Sequence, residues 1–240
     1  MIKKIKTLIR EFTENQAYII RQNQELVWAH VYHDSIRGEN HIENLPINIG
    51  RMAGDYAFFY LLNRIMSDAQ PRRILEFGLG ESSKFISAWL QQDSNFRTHQ
   101  IIEQSSVWAT EYSNRFNLSE FSNISICPLV KKKINNYNVN CYQGLTDVVS
   151  GTFDFYLVDG PFGSSHYSRY DILFMAERLS SDDDFIIVID DFDRVGEKET
   201  SEALGALFDA KQMKIYTQVY TGLKEVWVLT TSKYRFLTSI

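Results

Sequence analysis

The chain has 240 residues, 44% of them hydrophobic, enough for a sizeable core in one α/β domain of ordinary size. A formal charge of −5, from 25 Lys and Arg against 30 Asp and Glu, argues against a nucleic-acid partner. The two cysteines, Cys127 and Cys141, form no C-x-x-C pair, which excludes a disulfide framework or zinc site and points to a reducing, cytoplasmic location.

In chain order, the first segment is MIKKIKTLIREF, where Lys3, Lys4, Lys6 and Arg10 interrupt the apolar residues and so rule out a signal peptide. No later run reaches the roughly 20 apolar residues that span a bilayer. Ile2, Ile5, Leu8, Ile9 and Phe12 recur at helical spacing, predicting a helix packed on its own domain or on a second subunit in a homodimer. A basic amphipathic helix on a membrane surface is the alternative. From Val27 to Asn48 the pattern loses clean periodicity, with Trp28, His30, Tyr32, His33 and His41 among polar residues. AGDYAFFYLLNRIMSDA then predicts a second helix, stopped by Pro71. Residues 1–70 therefore read as a helical N-terminal extension, contributing cap or dimer contacts, before a Rossmann-like domain over 71–240.

From Arg73 short apolar runs alternate with helical stretches. RILEF, THQIIEQ, ISICPL, FDFYLVDG and DFIIVIDD read as strands, and ESSKFISAWLQQ, SVWATEYSNRFN, SRYDILFMAERL and EKETSEALGALFDA as helices. KKKINNYNVNCYQG interrupts them as a polar, asparagine-rich excursion. The alternation predicts a doubly wound, mostly parallel seven-stranded sheet covered on both faces. MKIYTQVY and KEVWVLTTS, joined only by TGL, must close it as an antiparallel hairpin. The run Asp182–Asp184 precedes a strand and reads as a solvated turn.

Gly78 and Gly80 follow the first strand and precede a helix, the context in which glycines let backbone approach a ligand. Glu103 ends the next strand about 20 residues on, where a carboxylate accepts from both ribose hydroxyls. Glu76 places a negative charge where a dinucleotide's pyrophosphate would lie, so a ligand with a cationic amino group suits the loop better.

LEFGLGESS, IIEQ, FYLVDGPFG and IVIDDFDR together resemble the motifs of class I S-adenosylmethionine (SAM)-dependent methyltransferases, over roughly Arg72 to Ser232. The resemblance implies that Glu76, Gly78 and Gly80 hold the methionine moiety and Glu103 the ribose. Ser82 stands where a third glycine is frequent and offers its hydroxyl instead, while Asp159 borders the cofactor and Pro128 and Leu129 wall the adenine.

VDG and IDD end adjacent strands, so Asp159, Asp190 and Asp191 should converge, and three carboxylates repel unless protonated, hydrogen-bonded or neutralised. A divalent ion such as Mg2+ is one solution and metal-free hydrogen bonding to substrate the other. The arrangement is similar to metal-dependent O-methyltransferases of catechols or sugars, which implies a hydroxylated small-molecule acceptor, a sugar or glycan precursor first and a phenol second. His166 and Asp193 are the candidate bases. Arg169 and Arg194 answer either a negative substrate or these acids. Trp28, Tyr32, His33 and His41 either cap the acceptor pocket or pack. Two alternatives stay open: an NAD-dependent oxidoreductase, and a non-catalytic nucleoside-binding protein.

Overall fold

A computed structural model of the chain describes residues 2–50, 53–92 and 97–239, without the side chains of residues 2 and 3. Of the N-terminal stripe, the side chain of Ile2 therefore lies outside the described residues.

Strands β1 (Arg73–Phe77), β2 (Thr98–Glu103), β3 (Ser122–Ile126), β6 (Phe155–Val158), β7 (Ile186–Ile189), β8 (Tyr216–Thr221) and β9 (Glu225–Thr230) form one seven-stranded sheet. Its order is β3-β2-β1-β6-β7-β9-β8. The first five run parallel, and β9 lies antiparallel between β7 and β8. This is the doubly wound sheet with its closing hairpin that the alternation predicts.

Period-two alternation along the strands sends side chains to two cores. On one face Ile74, Phe155, Leu157, Ile186 and Val188 pack with Phe85 and Ile86 of α4 (Glu81–Gln91), Phe58 and Phe59 of α3 (Tyr56–Arg64) and Tyr32 of α1 (Ile2–Ser35). On the other, Leu75, Phe77, Tyr156, Ile187 and Ile189 meet Ile172 of α7 (Asp171–Ala176) and Leu204 and Phe208 of α8 (Val195–Ala210). Each such side chain contributes roughly 1.5–3 kcal/mol on burial. The N-terminal helices thus share the core of the sheet domain.

The segment from Val27 to Asn48, which lacks one clean period, continues α1 to Ser35 and adds the short helix α2 (Asn40–Glu43). Asp55 caps α3, its Oδ1 accepting from the Phe58 N–H at 3.0 Å. A π-helical turn, Ile65–Ala69, then ends the helix before Pro71.

The polar excursion is a second structure of its own. β4 (Leu129–Ile134) and β5 (Tyr137–Tyr142) pair antiparallel. Their turn residues Asn135 and Asn136 have φ of 45° and 70°, the two left-handed residues that a type I′ hairpin requires. Helix α5 (Ser106–Arg115) follows β2, and α6 (Leu145–Val148) follows β5. Asp183 accepts from the Ser180 N–H and hydroxyl at 2.8 Å, which makes Asp182–Asp184 a turn ahead of β7. Among the described residues no helix is long and apolar enough to cross a membrane.

Candidate active site

The chain winds outward from β1 through β2 to β3, then returns to the other side of β1 with β6. The C-terminal ends of β1 and β6 therefore flank the topological switch point, where open α/β sheets bind ligands. Gly78 sits there with φ of +100°, and a Cβ on it would lie 3.2 Å from the Asp159 carbonyl carbon and the Gly160 nitrogen. A side chain at Gly80 would meet nothing within 4 Å, so the loop presents bare backbone to open space. Such a cradle fits an extended ligand laid against the loop.

Helix α5 and the end of β2 hold this loop still. Glu103 accepts from the Leu79 N–H at 3.1 Å and the Ser105 N–H at 2.7 Å, while the Trp108 indole donates to the Leu79 carbonyl at 2.8 Å. The Tyr112 hydroxyl donates to the Gly80 carbonyl at 3.1 Å. Glu103 is buried beside the cradle with acceptor capacity left over.

Glu76 and Ser82 are placed otherwise than the sequence suggests. The Ser82 hydroxyl donates to Glu76 Oε1 at 2.5 Å, and Glu76 Oε2 lies 2.8 Å from His99 Nε2, with the Glu76 and His99 side chains fully buried. His99 Nδ1 in turn lies 3.0 Å from the Ser122 hydroxyl. Ser82 therefore turns inward to brace Glu76 rather than outward to a ligand. A buried carboxylate is stable only when its oxygens are satisfied, and this relay across β1, β2 and β3 satisfies them. Glu76 thus lies beneath the loop, bonded to Ser82 and His99.

One strand over, Asp159, Asp190 and Asp191 do converge, with one oxygen from each lying within 4.8 Å of the others. The structure supplies their neutralisation itself. Arg169, with φ of +60°, buries its guanidinium among them, donating to Asp159 Oδ1 at 3.1 Å and Asp191 Oδ2 at 2.8 Å. It also donates to the carbonyls of Val158 at 3.1 Å and Asp190 at 2.7 Å. Lys224, from the β8–β9 turn, lies 2.9 Å from Asp191 Oδ1 and 4.0 Å from Asp190 Oδ2. Arg194 reaches Asp191 Oδ2 at 3.0 Å, and a fourth acid, the buried Glu197, lies 3.6 Å from the Arg169 Nε.

These charges sort the acids. Burial, then the charge of Asp190, pushes the Asp159 carboxyl up to about 8 against Arg169. Burial and Asp191 raise Asp190 to about 6, against Lys224 and Arg169. Asp191 goes the other way: burial opposes ionisation, but Arg169, Lys224 and Arg194 outweigh it and hold the group below its ordinary value. Asp190 buries both carboxylate oxygens without a hydrogen-bond partner.

His166 stands apart from this cluster. Its Nδ1 pairs with Glu199 Oε1 at 2.8 Å, and its ring stacks on Tyr137 of the β4–β5 hairpin at 3.9 Å between centroids. Asp193 points instead toward Arg21 of α1, 3.9 Å away. Leu129 is half-buried and Pro128 exposed at the start of β4. Trp28 donates to the Thr221 carbonyl at 2.9 Å and packs against Tyr60 and Tyr220, Tyr32 is buried, and His41 lies edge-on to Trp89. Trp28, Tyr32 and His41 thus pack on the body, while His33 is exposed.

Lys224, Glu197 and His99 escape the sequence reading. His99 gave little signal, since it stands between Thr98 and Gln100 in a strand that is polar in its first half. Lys224 gave a weak one, as the first residue after the tight TGL turn. That turn is fastened to α1 and to the cap of α3. Arg21 donates to the Leu223 carbonyl at 3.2 Å and Glu25 accepts from the Leu223 N–H at 3.2 Å. Asp55 Oδ2 accepts from the Lys224 N–H at 2.9 Å. Burial and the neighbouring Glu25 raise Asp55 to about 6.

No protein-family profile and no curated protein matches the sequence. Solved structures do match. The O-methyltransferase TomG from Streptomyces achromogenes, involved in tomaymycin synthesis and solved with SAM, superposes with a TM-score of 0.53 at 14% identity, over 85% of this chain and 89% of TomG. An O-methyltransferase candidate from Klebsiella pneumoniae superposes with a TM-score of 0.53 at 11% identity, over 88% of this chain and 99% of that one. With the sheet order, the glycine cradle at its switch point and the antiparallel closing hairpin, these likenesses show that the chain has the class I methyltransferase fold.

Proposed function

We propose that the protein is a SAM-dependent O-methyltransferase acting on a hydroxyl of a small molecule, a sugar or glycan precursor ahead of a phenol. The observation that carries this reading is the glycine cradle at the β1/β6 switch point, held open by Glu103 and walled by acids. The likeness of the fold to TomG, solved with SAM, favours SAM over NAD as the ligand of this cradle.

SAM supplies a methyl group already activated on a sulfonium. The chain's task is then to hold an acceptor oxygen in line and to remove its proton. His166 suits the second role: with Nδ1–H donating to Glu199, Nε2 is left as the proton acceptor, and Tyr137 fixes the ring plane. Asp193, turned toward Arg21, suits it less. Backbone around Gly78 and Gly80 and the carboxylate of Glu103 hold the cofactor, with Asp159 at the border between cofactor and acceptor.

A divalent ion does not fit the acids as they stand. It would share Asp159 and Asp191 with the Arg169 guanidinium and would meet the Lys224 ammonium 2.9 Å from Asp191 Oδ1. Like charge at such separations is strongly repulsive in a buried site. We read Arg169 and Lys224 as the neutralising cations of a metal-independent site.

Calorimetric titration with S-adenosylhomocysteine and with NAD tests the assignment. Binding of the former alone is expected; binding of NAD without a response to the homocysteine nucleoside would overturn it. Mass spectrometry of sugar and phenol panels incubated with SAM then identifies the acceptor by the gain of one methyl group.

A further inference from the structure

Helix α1 is 34 residues long, about 50 Å, and has two faces. Arg21, Glu25, Trp28, Tyr32 and Ile36, the last just beyond the end of the helix, are spaced four, three, four and four residues apart and dock on the body. The opposite side carries Ile5, Leu8, Ile9, Phe12, Ile19, Ile20, Leu26 and Val27, each between 47% and 65% exposed. Leu26 and Trp28 point roughly 160° apart at 3.6 residues per turn. No rotation of the helix buries both faces on this domain.

The outer face has a register. Ile5, Ile9, Phe12, Gln16, Ile19, Asn23 and Leu26 alternate four and three residues apart, the seam of a heptad repeat. Ile9, Gln16 and Asn23 fall at the first seam position, and Ile5, Phe12, Ile19 and Leu26 at the fourth. Flanking the seam are Lys6, Leu8, Thr13, Asn15, Ile20, Gln22 and Val27, with Lys6 at the N-terminal end the one charge among them, so two identical helices meet along most of the seam without repulsion. Lys4, Arg10, Glu11, Glu14, Arg21 and Glu25 all lie away from it.

We infer that this seam pairs with the α1 seam of a second copy of the chain, in a parallel two-stranded coiled coil. A symmetric parallel pair sets Gln16 against Gln16 and Asn23 against Asn23, the use of polar seam residues that fixes register in such pairs. The exposed apolar side chains offer on the order of the 800 Å² per partner that a stable interface buries. A membrane surface suits the face less well, because Gln16 and Asn23 interrupt it and Leu26 and Val27 lie level with the docked body.

Sedimentation of the full chain tests this. A particle of twice 28.0 kDa is expected. Phe12→Glu with Ile19→Glu, both at exposed positions, should halve that mass and make the melting temperature independent of protein concentration, while leaving S-adenosylhomocysteine binding unchanged. Asn23→Cys should cross-link one chain to its partner on oxidation, since Cys127 and Cys141 are buried and do not compete. A monomeric wild type at micromolar concentration, a dimer that survives the double substitution, or a monomer that binds anionic vesicles would overturn the inference. A dimer that fails to cross-link at residue 23 would overturn its parallel register.

Discussion

Lys224→Met removes one of three cations facing four carboxylates while keeping an unbranched side chain one atom shorter. The Lys224 side chain is 21% exposed, and its ammonium also donates to the Ala53 carbonyl at 3.2 Å. Breaking a buried ion pair by deleting one partner costs about 3–5 kcal/mol, and the residual exposure sets the expectation at the lower end, about 3 kcal/mol. With a denaturant dependence of about 3 kcal/mol per molar urea, the unfolding midpoint should fall by about 1 M. The vacated position leaves oxygens of Asp190 and Asp191 facing one another, so Mn2+ should restore part of the loss in the variant and leave the wild type unmoved. Urea titrations of both proteins, with and without Mn2+, provide the assay. A wild type stabilised by Mn2+, or a variant with an unchanged midpoint, would refute the assignment of Lys224 as the built-in cation.

Gly78→Ala should cost about 1–3 kcal/mol, because φ of +100° is unfavourable for any Cβ and this one also presses on Asp159 and Gly160; it should abolish the heat of S-adenosylhomocysteine binding. Glu76→Ala leaves Ser82 and His99 without their buried partner and should destabilise by on the order of 3 kcal/mol, with Glu76→Gln milder, both read from urea midpoints. Asp171 is raised to about 7 by burial, against the Tyr142 N–H and Lys132. A folded value above the unfolded one of about 3.9 means that the unfolded chain ionises first, so this group's stability contribution is full below about pH 4 and lost as pH rises to about 7. Asp171→Asn should therefore gain relative to wild type by about 3–4 kcal/mol across that window; a constant difference between the two pH profiles would contradict it.

Much of the sheet was legible because parallel strands buried on both faces are short continuous apolar runs, and because TGL is too short to carry a crossover. The convergence of Asp159 with Asp190 and Asp191 followed from strand adjacency alone. What neutralises them did not, since Lys224 lies far along the chain from Asp191 and reaches it only through the hairpin. The full length of α1 was hidden for a different reason. Trp28 and Tyr32 face the body while Leu26 and Val27 face away, and two opposed stripes cancel the single amphipathic period that marks a helix. The β4–β5 hairpin was illegible as strands because Lys131, Lys132 and Lys133 are all exposed, leaving only the Asn135–Asn136 pair as a turn signal. Ser82 could not be oriented without knowing that His99 stands on the neighbouring strand, ready to share Glu76 with it.

The fastening of the TGL turn to α1 makes the helix a lever with its short arm in the site. Arg21 and Glu25 grip Leu223, and the next residue holds the charge that balances Asp191. Bending or pulling on the outer half of α1 has a two-residue path to the aspartates, so trimming the chain back to the start of β1 would loosen the acid wall as surely as mutating it.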